Sequence, residues 1–399
     1  MMNILVITPL YYIEGRPQLF HDTSAIHYLI RPWAEKHKVL VLDIYFESLR
    51  KIMRYASAEE RRFRKGYSYT VDGVPVALIE VMKPYKQGSR ITDHEKKRVK
   101  SFIEKVTAER AFDPDIIVAH LPTTVINVVK EIFPNIRKMA VLHTTDRQNW
   151  YRRTSETAAV RQTFDAFYAR SEDLRFFFEQ QQLSGLSAEI IYSGGKKAAH
   201  ALERTDHNIG IMYAGKLIPR KHVDVIIEAL ATIRDRYAFH LEIYGDGVER
   251  SRLEQLAEDR LYPGSYSFMG MVDHEAVLSA MTKNDFFVMV SEDESFGLTY
   301  VEAMVNGCIP IGSVGEGIDG IIQHGVNGYL TRANSITGLA EQFEECFRLQ
   351  GEEKERLLVR MEESASKYSE ESAGMHYLEI IEKEYEMTSR EERSGHAES

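Results

Sequence analysis

Residues 285–330 read DFFVMVSEDESFGLTYVEAMVNGCIPIGSVGEGIDGIIQHGVNGYL, and the fold is decided there. Phe286 to Val290 is an apolar run of strand length, as in a parallel sheet buried on both faces. Glu292, Asp293 and Glu294 follow at its carboxyl end. Ser295-Phe296-Gly297 then opens a helix expected over Leu298 to Asn306 and stopped by Gly307. Cys308 to Ile311 reads as the next strand, and Gly312 to Gly317 as a loop with three glycines. Open α/β sheets bind ligands outside the carboxyl ends of their strands, where helix N-termini favour anions. The stretch is thus expected to receive a phosphate-bearing ligand, with Glu294 and Glu302 placed to hold hydroxyls beside it.

Working outward, the same strand–helix alternation fills the chain. In the first half, strands are expected at Asn3 to Pro9, Val39 to Ile44, Asp115 to Ala119, Lys138 to Leu142, Ala166 to Arg170 and Glu189 to Tyr192. A hairpin is expected around Asp72-Gly73, and a helix from Asp22-Thr23-Ser24 toward His37 with Pro32 as its kink. In the second half, strands are expected at Ile209 to Ala214, His240 to Tyr244 and Tyr266 to Gly270, each followed by a helix. Two βαβ series imply an α/β protein with two parallel sheets. Lys196 to His207 is polar and reads as the linker. The halves are placed at 1–200 and 201–369, a last helix at about 370–386 packs back on the first, and 387–399 is a polar, disordered tail.

At 399 residues the chain exceeds one ordinary core. No apolar run is long enough to span a bilayer, and the amino terminus reads as a core strand rather than a signal peptide. Two cysteines, Cys308 and Cys346, support neither a disulfide framework nor a thiolate metal site, which suits a reducing cytoplasm. Asp113-Pro114-Asp115 precedes a strand, at the end away from the expected site, so no metal is assigned to it. Charge is unevenly shared. Residues 1–200 hold 31 Lys and Arg against 23 Asp and Glu, a net of +8; residues 201–399 hold 19 against 37, a net of −18. The positive charge gathers in residues 49–110, in LRKIMRYASAEERRFRK (49–65) and HEKKRVKSFIEK (94–105). Such segments are either solvated faces or, with Ile52, Met53 and Phe63, a contact with an anionic membrane surface. No nucleic-acid motif accompanies them.

The second half also carries an ordered set of short motifs. They are Gly215-Lys216-Leu217 with Lys221, Tyr244-Gly245-Asp246-Gly247, Phe268-Met269-Gly270, Glu294-Ser295-Phe296-Gly297 with Glu302-Ala303, Asn306-Gly307, Gly315-Glu316-Gly317 and Gly325-Val326-Asn327-Gly328. Together they resemble the donor-binding domain of family-four, GT-B retaining glycosyltransferases over roughly residues 205–385. The first half matches in layout, in His143 at a strand end, in Ala169-Arg170-Ser171 and in Ser193-Gly194-Gly195.

The resemblance implies two Rossmann-like domains facing each other across a cleft, and transfer of a sugar from a nucleotide-diphosphate donor with retention, without metal or cofactor. By it, Lys216 and Lys221 hold the donor diphosphate and Glu294 the sugar hydroxyls. Ser295, Phe296, Gly297 and Leu298 contribute at the sugar and phosphate, chiefly through backbone N–H groups. Glu302 accepts from the ribose, while Gly215, Gly245 and Gly270, with Met271 and Val272, line the nucleotide. His143 approaches the sugar, and Gly15 with Arg16 lies on the acceptor side. The acceptor implied is a polysaccharide, lipid-linked or other cell-surface glycan precursor, met in the cytoplasm or at the membrane's cytoplasmic face. The chain departs from the family at Lys216, where arginine is common, and at His222, where glycine is usual. It also has a single glycine in the loop Leu10 to Phe20. A sugar-nucleotide epimerase or a non-catalytic GT-B partner subunit is the alternative reading.

Overall fold

The computed structural model describes residues 1–9, 11, 25–48, 66–83, 92–121, 126–150, 154–203, 208–292, 294 and 297–395. The chain forms two compact units. One comprises Met1–Arg170, Leu174–Ile191 and Ala373–Ser399; the other comprises Ser171–Asp173 and Tyr192–Ser372.

The first unit is built on strands β1 (Asn3–Thr8), β2 (Lys38–Ser48), β3 (Tyr67–Val71), β4 (Val74–Lys83), β5 (Ile116–His120), β6 (Arg137–Leu142), β7 (Ala166–Ala169) and β8 (Leu186–Ile190). They form an eight-stranded sheet in the order β3-β4-β2-β1-β5-β6-β7-β8. Among the described residues, only the β3–β4 hairpin is antiparallel. Its two-residue turn is Asp72-Gly73, with φ of +45° and +81°, the left-handed pair that a tight hairpin requires. Strands β1, β5 and β6 are apolar on both faces because helices cover both. The expected kink at Pro32 is a change of helix type: an α-helix, Ala25–Ile30, gives way to a 3-10 turn, Arg31–Glu35, at the residue lacking an N–H. Asp113 and Asp115 serve the strand edge, the carbonyl of Asp113 accepting from Asn3 Nδ2 and Asp115 Oδ2 from the Asn3 N–H, both at 2.7 Å.

The first basic segment, 49–65, with Ile52, Met53 and Phe63, lies outside the described residues. The second is the helix Asp93–Glu109, N-capped by Thr92. Its apolar residues Val99, Ile103 and Val106 are buried in its own unit, so what it offers to solvent is its basic face. No helix among the described residues is long and apolar enough to cross a membrane.

The last helix belongs to the first unit's core. It runs Glu370–Gly395, not to about Tyr385, because strong helix formers continue past Glu386 and nothing in the sequence stops it before Gly395. The expected disordered tail is therefore helical as far as Gly395, and residues 396–399 lie outside the described residues. Trp33 Nε1 donates to Gly374 O (2.8 Å), and its ring meets Tyr377 edge-on at 4.7 Å. Arg137 Nε and Tyr168 OH both donate to the Glu384 carboxylate, at 2.7 and 2.6 Å.

The second unit is built on β9 (Ile209–Ala214), β10 (Phe239–Tyr244), β11 (Tyr266–Gly270), β12 (Phe286–Val288), β13 (Ile309–Ser313) and β14 (Tyr329–Thr331). All pairs are parallel, in the order β11-β10-β9-β12-β13-β14. This is the doubly wound order, and its direction reverses between β9 and β12. The crevice beyond the carboxyl ends of those two strands is where such sheets take ligands. β12 is shorter than expected, although Met289 and Val290 remain buried beyond it. β13 is longer, reaching into the expected glycine loop, because Gly312 and Ser313 pair with β14. The residues read as a linker are partly bound: the Ala198 N–H donates to Asn306 Oδ1 (2.7 Å) and the Leu202 N–H to Thr282 Oγ1 (2.8 Å). Residues 204–207 lie outside the described residues.

Candidate functional site

Three of the glycines singled out in the sequence form a row at the carboxyl edge of the second sheet. The Gly215 N–H donates to Tyr244 O (3.0 Å), and the Gly245 N–H to Gly270 O (2.8 Å). At Gly245, φ is +124° and a Cβ would stand 1.9 Å from Gly215 O, so no side chain fits. The row ends at Met271 and Val272, both exposed apolar residues at the mouth of β11.

Beside this row, beyond β9, Lys216 and the turn Pro219–Lys221 contribute three basic side chains of different standing. Lys216 is exposed. Lys221 is buried, pairs through Nζ with Glu294 Oε2, and lies 3.4 Å from Met289 Sδ. Arg220, which the sequence reading did not single out, is exposed and has Nη1 4.0 Å from the same Glu294 oxygen and 3.2 Å from Glu292 O, to which it donates. Its adjacency to Lys221 in the turn was the available signal. Two residues expected to touch different parts of one ligand are thus joined to each other. The turn ends at His222, whose φ is +48°, a left-handed conformation that explains why glycine is usual here. His222 Nε2 lies 3.2 Å from Glu292 Oε2.

Glu294 is fixed from the opposite side as well. Its N–H donates to Glu316 Oε2 (2.7 Å), and its carbonyl accepts from the Gly317 N–H (3.1 Å). The Gly315-Glu316-Gly317 loop therefore holds the acidic turn from below, a role that side-chain chemistry alone did not reveal. Gly297 caps the helix Leu298–Val305 with φ of +72°, and a Cβ there would fall 2.4 Å from the Tyr300 ring. Leu298 is the first residue of that helix and is partly buried. Glu302 lies one turn further on, buried, with Oε1 2.8 Å from His274 Nε2. Ser295, Phe296, Gly15 and Arg16 lie outside the described residues.

The first unit places His143 directly after β6. The His143 N–H donates to Asp146 Oδ2 (2.7 Å), and the Asp146 N–H returns to His143 O (2.9 Å), which fixes the strand-to-helix corner. Its Nε2 lies 3.3 Å from Nδ1 of His120, the last residue of β5, and His120 Nε2 lies 3.1 Å from Tyr377 OH. His120 was missed in the sequence, although a histidine ending a buried strand was its signal. Burial, with the positive charge of Arg170 beside it, pushes the His143 pKa down to about 3. Burial also holds the His120 pKa well below the usual histidine range, helped by His143 and Arg170. Both imidazoles are accordingly uncharged at neutral pH. Among the described residues, no group of three or more His, Cys, Asp or Glu is placed to hold a metal ion.

Residues 197–368 match the model of the family described as glycosyl transferases group 1. The chain is 38% identical over 122 residues to N-acetyl-alpha-D-glucosaminyl L-malate synthase of Bacillus anthracis, covering 31% of this chain and 32% of that protein. It is 28% identical over 172 residues to the lipopolysaccharide core biosynthesis glycosyltransferase LpsE of Rhizobium meliloti, covering 43% and 49%. The matched segments thus span a third to a half of these relatives. In fold the likeness is wider. The Anabaena protein HepE, solved in complex with UDP and glucose, superposes with a TM-score of 0.64 at 18% identity, covering 96% of this chain and all of that one. The motifs, the strand order and the family match agree: residues 197–368 match the glycosyl transferases group 1 model, in a chain with the two Rossmann-like units of the GT-B fold.

Proposed function

We propose that the protein is a retaining glycosyltransferase that takes a sugar from a nucleotide-diphosphate donor and passes it to a polysaccharide, lipid-linked or other cell-surface glycan precursor. The observation that carries this reading is the Lys221–Glu294 pair where the strand order reverses, flanked by Lys216 and Arg220. An arriving diphosphate competes for Lys221 and draws on the other two cations. Glu294, released from Lys221, then accepts hydrogen bonds from the sugar hydroxyls. As the sugar–phosphate bond breaks, negative charge grows on the leaving diphosphate, and cations already in place stabilise it without reorganisation. Glu302 takes the ribose, and the backbone row at Gly215, Gly245 and Gly270 admits the nucleotide closely. His143, neutral and held by His120, offers an uncharged ring nitrogen to the sugar. No metal or cofactor enters the scheme; as the family resemblance implies, the donor phosphate takes the acceptor's proton.

The UDP and glucose bound to HepE, a protein similar in fold only, support uridine nucleotides as the first donors to try. The lipopolysaccharide relative supports a cell-envelope acceptor, reached in the cytoplasm or at the membrane's cytoplasmic face. A panel of nucleotide sugars tests the reading, scored by thermal shift and by slow hydrolysis. At least one donor is expected to stabilise and turn over, and Glu294→Ala to abolish both. Epimerised donor in place of hydrolysed donor turns the reading to an epimerase. Binding without any turnover, in the presence of an acceptor extract, turns it to a non-catalytic partner. If no donor binds, or if Glu294→Ala binds as well as the parent, the reading fails.

A further inference from the structure

We propose that His274 is a positioning residue for the nucleotide site: it occupies one oxygen of the Glu302 carboxylate so that the other is turned to the ribose hydroxyls. The inference rests on the donor reading above and adds to it a residue outside the motifs that carried the resemblance.

Glu302 sits on the helix Leu298–Val305 with its side chain 5% exposed, and His274 Nε2 lies 2.8 Å from its Oε1. Among the described residues, Oε2 has no such partner. A buried carboxylate without a donor either takes up a proton or swings to water, and both spoil it as an acceptor of two vicinal hydroxyls. One charged donor fixes the plane of the carboxylate and leaves the lone pairs of Oε2 to the ligand.

His274 is itself held by backbone. It opens the helix His274–Lys283, whose N-cap, Asp273, accepts from the Ala276 N–H at 2.7 Å. It follows Met271 and Val272 by two to three residues, so the strand end that meets the nucleotide and the carboxylate that meets the ribose are tied together. A strap of chain spans both helices. A Cβ on Gly195 would stand 2.9 Å from Glu302 N, Lys196 Nζ lies 3.4 Å from Glu275 Oε2, and Asn306 Nδ2 donates to Lys196 O (2.9 Å). The glycines of Ser193-Gly194-Gly195 thereby acquire a purpose, since Gly194 likewise packs on Glu370 too closely for a side chain.

The groups facing the imidazole are Glu302, Lys196 and Glu370, with Glu275 on its own helix. The hydrogen bond to Glu302 raises its pKa, and Glu370 acts in the same sense, against burial and Lys196. The imidazole is therefore charged over more of the neutral range than a free histidine and loses that charge as pH rises. Loss of charge weakens the hold on Glu302 and removes the cation that offsets it when the diphosphate arrives.

Binding of UDP and of 2′,3′-dideoxy-UDP to the full chain, compared between pH 6 and 9, tests this. The ratio of the two affinities reads the ribose contact and cancels titration of the phosphate. The parent should prefer UDP by roughly tenfold at pH 6, the strength of one charge-assisted hydrogen bond, and lose most of that preference by pH 9. Glu302→Gln should show little preference at any pH. His274→Gln should show a small preference that no longer varies with pH. His274→Lys should restore the preference and carry it to higher pH. If His274→Gln keeps both the preference and its pH dependence while Glu302→Gln loses them, the positioning role is overturned and the donor reading stands. If Glu302→Gln still prefers UDP, both the ribose contact and the positioning role fall. If UDP, ADP and GDP all fail to bind, the donor reading itself falls.

Discussion

At the carboxyl ends of its central strands the second unit sets a cation, Lys221, against an anion, Glu294. At the ends of β5 and β6 the first unit sets two uncharged imidazoles in line with a tyrosine hydroxyl. The scaffold is the same, parallel strands reversing order at the middle, but the chemistry differs. Opposite charges held close can be exchanged for a charged ligand. Neutral rings kept neutral by burial present hydrogen bonds that change little with ionic surroundings. The comparison teaches that strand order specifies where a site lies, while burial and pairing specify what kind of group it can meet.

The largest expected effect tests whether the glycine row is structural to the second site. Gly245→Val puts side-chain atoms into the Gly215 carbonyl and should cost about 4 kcal/mol or more, abolishing cooperative unfolding of the second unit. Urea titration with limited proteolysis resolves the two units; an unchanged second transition contradicts the packing described. Next, Lys221→Met leaves the Glu294 carboxylate, 17% exposed, to the more distant Arg220 and should cost about 3 kcal/mol in the ligand-free protein. The double change Lys221→Met with Glu294→Gln should recover most of that stability and none of the proposed nucleotide-sugar binding. Recovery of both would dissolve the distinction between pairing and ligand exchange.

Acid should separate the units by sign. His120 and His143 have depressed values, so from about pH 6.5 downward the unfolded chain binds protons that the folded first unit refuses, until about pH 3 at His143. Stability of the first unit should fall through that window by up to about 1.4 kcal/mol per pH unit per histidine. Calorimetry should find the loss reduced in His143→Gln. His274 in the second unit runs the other way: its raised value contributes stability that is present below 6.5 and is lost as pH climbs through that value. The smallest effect is at His222, where left-handed backbone costs about 1 kcal/mol. His222→Gly should raise the second unit's stability by no more than that, less whatever the contact with Glu292 supplies.

Much of the fold was legible because parallel strands buried on both faces write themselves as apolar runs, as Ile4–Ile7 and Ile116–Ala119 do. Asp72-Gly73 marked its hairpin because few other pairs accept two left-handed residues. Short elements were not legible: β14, three residues after Gly328, has no periodicity to read. In the site, residue types were visible and partnerships were not. Nothing in the spacing says that Lys221 pairs with Glu294, 73 residues away, or that Glu316 supports it from a loop. His274 and His120 lie at element ends outside the motifs, and only the folded chain shows what each one touches.

The helix Glu370–Gly395 supplies Tyr377 to the buried chain at His120, and Gly374 and Glu384 to the anchors on Trp33 and Arg137. On a ribosome, the unit whose synthesis begins first must therefore wait until the second has been made before it can close its core. Until then its sheet stands without one of its coverings, a natural client for a holding chaperone. A ribosome stalled behind residue 372 on an unrelated linker long enough to fill the exit tunnel should display a protease-resistant second unit on a chain whose first unit is still readily cut.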